Sequence, residues 1–140
     1  MTVALQAALA RWPGAQSYRP GDLAALNAEI LALMRSGRKR ASCEAWAVFD
    51  EGHEALPVVG RVDIVLGWDG GAPALATRTL EVLRVPFAEM TEEMAAEQGE
   101  FTDLAHWRRG YEAYLTRSGR FAPDVAMMLE RFEVVEDLAG

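Results

Sequence analysis

The chain has 140 residues, 51% of them hydrophobic, with 14 Lys or Arg against 21 Asp or Glu and a formal net charge of −7. That length suits one domain with a genuine core, and no window approaches the ~20 apolar residues of a membrane span. The negative balance argues against a protein that grips long nucleic acid electrostatically, since that needs clustered Lys and Arg, and no DNA partner is expected.

The opening "MTVALQAALARW" has neither a basic leader nor an unbroken apolar stretch, so no signal peptide is expected. A single cysteine, Cys43, excludes an internal disulfide and fits a reducing cytoplasm. The expectation is a soluble cytoplasmic protein. Nothing in the sequence specifies an oligomer.

In "DLAALNAEILALMRSG", Leu23, Leu26, Ile30 and Leu33/Met34 recur at helical spacing, with Gly21-Asp22 available at the start and Gly37 just past the end. The basic stretch "SGRKRAS" at 36–42 is therefore a helix-to-strand junction. "ASCEAWAVF" (41–49) reads as a strand with Ser42, Glu44, Trp46 and Val48 on one face. "RVDIVLGW" reads as another, "DGG" at 69–71 as a hairpin turn, and "ALATRTLEVLRV" as one strand or two joined by a bulge. Thr91 precedes a short helix opening with Glu92 and Glu93, and Thr102 precedes a longer one striped by Leu104, Trp107, Tyr111 and Tyr114/Leu115. "VAMMLERFEVVEDL" closes the chain as a strand. Short, largely antiparallel strands with helices at their ends predict an α+β domain built on a small barrel.

Thirteen of the fourteen basic residues are arginine; the one lysine, Lys39, sits between Arg38 and Arg40, three residues before Ser42. Arginine stays protonated at any workable pH, whereas a desolvated or crowded lysine can act as a base. A Ser–Lys pair in which an amine takes the hydroxyl proton is one use of this spacing; chance on a solvated turn is the other. On an extended strand residues three apart point to opposite faces, so the pair converges only if the chain turns sharply at the junction. Metal and thiol chemistry find no pattern: His53 and His106 lack ligand spacing, and Cys43 has no neighbouring histidine. There is no Gly-rich phosphate loop, and no cofactor is expected.

The segment "GRKRAS" resembles the G-x-K-x-x-[ST] signature of the ASCH superfamily, small proteins with a fold like that of PUA RNA-binding barrels. The resemblance runs in family order from about Asp22 to Val135, through "LPVVGRVDIVLGWDGG", "TRTLEVLRVPFAEMTEE", "AEQGEFTDLAHWRRGYEAYLTR" and "LERFEVVED". "RVPFAEMTEE" and Trp107-Arg108 look like the bacterial stand-alone branch. It implies an N-terminal helical extension over 1–20 and an ASCH domain over 21–140, built as a largely antiparallel barrel with helices at its ends. Family members are variously associated with RNA binding, ribonuclease activity and hydrolysis of N4-acetylcytidine. In the amidohydrolases a signature lysine and threonine, with a glutamate before the long helix, carry the reaction. These fall on Lys39, on Ser42 (which keeps the hydroxyl and drops the methyl) and on Glu100, with Glu97 a competing register.

The resemblance also implies that Thr116 and Arg117 face the cleft. Arg78 could bind a ribose, phosphate or carbonyl oxygen, or be an ordinary strand arginine, and Trp46 or Trp107 could stack on a base or belong to the core. The expectation is a hydrolase acting on a modified nucleoside, with Arg38, Arg40, Arg78, Trp107, Thr116 and Arg117 contacting substrate. The alternatives are an RNA-binding module without chemistry, using Arg35, Arg38, Arg40 and Arg108 on the phosphates of short RNA, and a metal-assisted ribonuclease.

Overall fold

A computed structural model describes residues 2–139. Five strands form one mixed sheet: β1 (Ser17–Tyr18), β2 (Ala41–Ala45), β3 (Val62–Leu66), β4 (Pro73–Pro86) and β5 (Ala126–Asp137), in the order β1-β3-β4-β5-β2. β1 runs parallel to β3; every other pairing is antiparallel. The five helices are α1 (Val3–Arg11), α2 (Ala24–Arg35), α3 (Trp46–Asp50), α4 (Glu92–Glu97) and α5 (Leu104–Arg117). Among the described residues no helix is long and apolar enough to cross a membrane.

The two long strands form the spine. β4 and β5 pair from Leu75↔Asp137 to Pro86↔Ala126, with register shifts between Ala76 and Thr77 and between Thr79 and Glu81. Such irregularities bend and twist a ladder, which is how one unbroken β4 satisfies the expectation of a bulged strand. Neighbouring residues on β3 and β4 alternate between two cores, as a pleated strand requires. Val65 and Leu75 pack with Ile30, Leu31 and Met34 of α2, whereas Val62, Ile64 and Ala76 pack under Leu5 and Ala8 of α1. A third core joins Val85 and Met127 to Trp107 and Leu115 of α5.

Two expectations are corrected. The strand predicted over 41–49 ends at Ala45, and residues 46–50 form α3. The reason is a lack of partner: Ala45 pairs with Met127, and β5 begins only one residue before that, at Ala126. Backbone groups that would go unpaired are taken into a helical turn, with Glu51 N–H donating to Ala47 O and His53 N–H to Val48 O. The barrel, too, stays open. β1 and β2 are the two edges of the sheet and do not pair with each other. β1 is only two residues long and offers few backbone groups for a further pairing. The helix caps differ in detail: the N-cap of α2 is Leu23, which offers no side-chain cap, and α5 is capped by Asp103, which accepts from His106 N–H at 2.8 Å.

Candidate functional site

A cavity of about 810 Å³ is lined from both edges of the sheet, by Tyr18 and Arg19 at β1 and by Lys39, Ser42 and Glu44 at β2. That volume lies in the range of small-molecule sites. α2 delivers the signature to it. After Arg35 the chain turns through Gly37 at φ +79, and the N–H groups of Arg38 and Lys39 both donate to Leu33 O at 3.1 Å. This wound-up junction turns the Lys39 side chain inward, where the residue is only 5% exposed.

There the Lys39 ammonium makes three hydrogen bonds. Nζ donates to Ala41 O at 2.9 Å, to Gln98 O at 3.2 Å and to Glu100 Oε2 at 2.8 Å. Three donors meet three acceptors, so this buried charge is fully satisfied. The turn that supplies two of those acceptors lies directly on the lysine backbone. Gly99, at φ +76, would place a Cβ 2.8 Å from Arg38 O and 3.0 Å from Lys39 Cα, so no side chain fits between the layers. Gln98 is completely buried and locks the turn to the core: its Oε1 accepts from Trp107 Nε1–H at 3.0 Å, and its Nε2 donates to Met94 O at 3.1 Å.

Lys39, Ser42 and Glu100 all line the cavity. Glu97, the competing register, is engaged elsewhere: both its oxygens accept from Arg131 at 2.9 Å, and Arg131 also bonds Glu81. Arg117 is exposed and lines the cavity; Thr116 is exposed and does not. Arg38 and Arg40 are exposed outside the lining, and Arg78 pairs with Glu133 at 3.2 Å on the far part of β4, also outside it. Trp107 is fully buried, leaving no face for a base to stack on. Trp46 lies outside the lining, with the Arg84 guanidinium 4.9 Å above its ring.

Sequence reasoning did not find the acidity of the cavity. Six carboxylates line it (Asp22, Glu44, Glu54, Asp63, Glu100 and Glu130) against four Lys or Arg (Arg19, Lys39, Arg61 and Arg117). Asp63 is held by Arg61 at 2.8 and 3.0 Å and by Gln16 N–H at 2.9 Å. Glu44 accepts from the Tyr114 hydroxyl and from Ala45 N–H. Glu130 accepts from the Thr79 hydroxyl at 2.7 Å.

Burial pushes the Glu130 carboxyl above its usual range, although the Thr79 bond opposes the shift. Burial also raises Glu54, with the Glu44 charge adding to it. Burial raises the Tyr18 hydroxyl strongly, and the Glu130 charge adds to that. The Cys43 thiol is raised mainly by burial, which suits an inert side chain better than a nucleophile. The available signal was a carboxylate inside an otherwise apolar strand, as in "VDIVL" and "MMLERF". Among the described residues no three His, Cys, Asp or Glu are grouped to hold a metal ion.

A family model for the ASCH domain matches residues 16–136. A crystal structure of an ASCH domain from Lactobacillus crispatus is 25% identical, with a TM-score of 0.75 over 93% of this chain and 85% of that one. A crystal structure of a protein from Enterococcus faecalis is also 25% identical, with a TM-score of 0.80 over 97% of this chain and 88% of that one. A hypothetical protein of known structure shares the fold at 15% identity and a TM-score of 0.58, over 85% of this chain and 97% of that one. No curated protein matches the chain.

Proposed function

The chain belongs to the ASCH domain family, and on that premise we propose that its cleft hydrolyses an amide on a modified nucleoside of the N4-acetylcytidine type. One observation carries the reading: the lone lysine is buried in a cavity wall, 2.8 Å from a glutamate 61 residues away, and Ser42 of the signature lines the same cavity. In this reaction the Ser42 Oγ–acyl bond forms as the acyl–N4 bond breaks. The hydroxyl proton passes to the Lys39–Glu100 pair and from there to the departing N4; water then releases the acid from Ser42. Lys39 acts as a base once it hands a proton to Glu100 along their hydrogen bond, so the two residues work as one proton store. The excess of carboxylates in the lining favours a small neutral ligand over a polyphosphate strand.

A second reading, RNA binding without chemistry, draws on a different observation. All three Lys39 donors are already used, as they would be in a purely structural tie. The exposed Arg38 and Arg40 then meet phosphates outside the cavity. Metal-assisted cleavage draws no support from the described donor groups.

Incubating the purified protein with N4-acetylcytidine and, separately, with a short single-stranded RNA tests the reading. Release of cytidine and acetate, with turnover insensitive to salt, is expected. Absence of product together with RNA retention that falls steeply with salt would replace it by the second reading.

A further inference from the structure

The antiparallel register of β2 and β5 sets Glu130 directly opposite Ser42, and both line the cavity. Directly opposed residues share one face of a sheet, with Cβ atoms about 4.5–5.5 Å apart. Glu130 is only 8% exposed. Among the described residues it forms no ion pair, and its one recorded donor is the Thr79 hydroxyl, on Oε2. No donor among the described residues reaches its other oxygen, Oε1, on a residue that lines the cavity. The better-held acids of the wall are already engaged: Asp63 by Arg61 and Gln16, Glu100 by Lys39, Glu44 by Tyr114. A buried carboxyl without a cation is expensive to keep. Its raised proton affinity reflects that burial, and groups of this kind concentrate at functional sites.

We infer that Glu130 is a substrate-contacting residue whose free oxygen accepts the N–H at the exocyclic position of a pyrimidine, so that the cavity selects amine- or amide-bearing bases over bases lacking that donor. The inference rests on the nucleoside reading above and names what that site recognises. Carboxylates read the cytosine amino group in the same way in nucleic-acid recognition. Placement then serves the chemistry: a nitrogen held at Glu130 has its acyl carbon one bond away, on the side of the sheet where Ser42 stands. Glu130 thus positions the leaving nitrogen while Ser42, Lys39 and Glu100 perform the transfer.

Calorimetric titration of the full chain with cytidine, and with the ribonucleoside that carries hydrogen in place of the 4-amino group, tests this without turnover. Wild type is expected to favour cytidine by roughly 10- to 100-fold. In Glu130→Gln the amide oxygen keeps the Thr79 bond and the NH₂ faces the ligand, so the preference is expected to collapse towards unity. Thermal melting of the same preparation verifies that the variant is folded. Equal affinities for the two ligands in wild type, or an undiminished preference in folded Glu130→Gln, would overturn the inference alone. Cytidine selection without deacetylation would sink the hydrolase reading and leave the inference standing. Failure of wild type to bind either nucleoside would sink both.

Discussion

Gly99→Ala is the substitution that tests whether the 98–100 turn must lie on the lysine. Gly99 sits at φ +76, a region that costs an L-residue about 1–2 kcal/mol. The added methyl would also stand 2.8 Å from Arg38 O, 2.9 Å from Arg38 C and 3.0 Å from Lys39 Cα. All three are backbone atoms, so no flexible side chain can swing away, and overpacking of this sort adds about 1–3 kcal/mol. The expected destabilisation is therefore roughly 2–5 kcal/mol. Gly119→Ala supplies the reference, because Gly119 has φ +74 and nothing within 4 Å of its would-be Cβ. It should cost only the backbone term, about 1–2 kcal/mol. Urea unfolding of both variants, compared by midpoint at unchanged slope, isolates the steric difference. Relief by backing the turn away would lengthen the Lys39 bonds to Gln98 O and Glu100 Oε2, so turnover of Gly99→Ala should fall while Gly119→Ala keeps wild-type rates. Equal destabilisation of the two variants, within about 0.5 kcal/mol, would refute the close approach.

Burial raises the Glu130 carboxyl above its ordinary value of 4.5, so the folded state holds that proton to higher pH than the unfolded state does. Stability is therefore lost as pH rises through the window that opens near 4.5, and Glu130→Gln should melt higher than wild type at pH 7, with the gain shrinking towards pH 4; a gain that is absent at pH 7 or grows on acidification would contradict this. Glu97→Gln removes the charge and one of the two oxygens that accept from Arg131 and should cost about 1–3 kcal/mol in urea unfolding with turnover unchanged. Glu100→Gln should instead reduce deacetylation by about 10²–10⁴-fold, and a reversal of these two outcomes would move the acid to Glu97.

Periodicity sufficed where an element has one clear face. The stripe of Trp107, Tyr111 and Leu115 made α5 legible, and the Gly37 stop made the end of α2 legible. It failed at residues 46–50, because "WAVFD" is a short apolar run that fits either period until the end of β5 decides it. Closure of the barrel was equally out of reach: it depends on whether β1 and β2 meet, and no local pattern in Ser17–Tyr18 carries that information.

At the site, Lys39 and Ser42 were legible because the signature holds both in one short segment. The resemblance already favours Glu100 over Glu97; what it leaves out is the tertiary setting, the turn at Gly99 that lies on the lysine and the Arg131 that engages Glu97. Trp107 fits a stacking surface or the core in sequence, because an indole serves either; its complete burial and its bond to buried Gln98 place it in the core. Glu130 passed unnoticed because an acid on a terminal strand reads as solvated, and only the register opposite Ser42 turns it towards the cavity.

The central claim is that Lys39 is retained for an amine that exchanges its proton. Lys39→Arg keeps the charge and the capacity to bond Glu100 but cannot serve as a base. Deacetylation of N4-acetylcytidine by this variant, measured beside wild type on protein with a matching melting profile, is the direct test. The account predicts a loss of about 10²–10⁴-fold with folding intact. Wild-type turnover in folded Lys39→Arg would contradict it and leave the lysine as a structural tie between the Gln98–Glu100 turn and the start of β2.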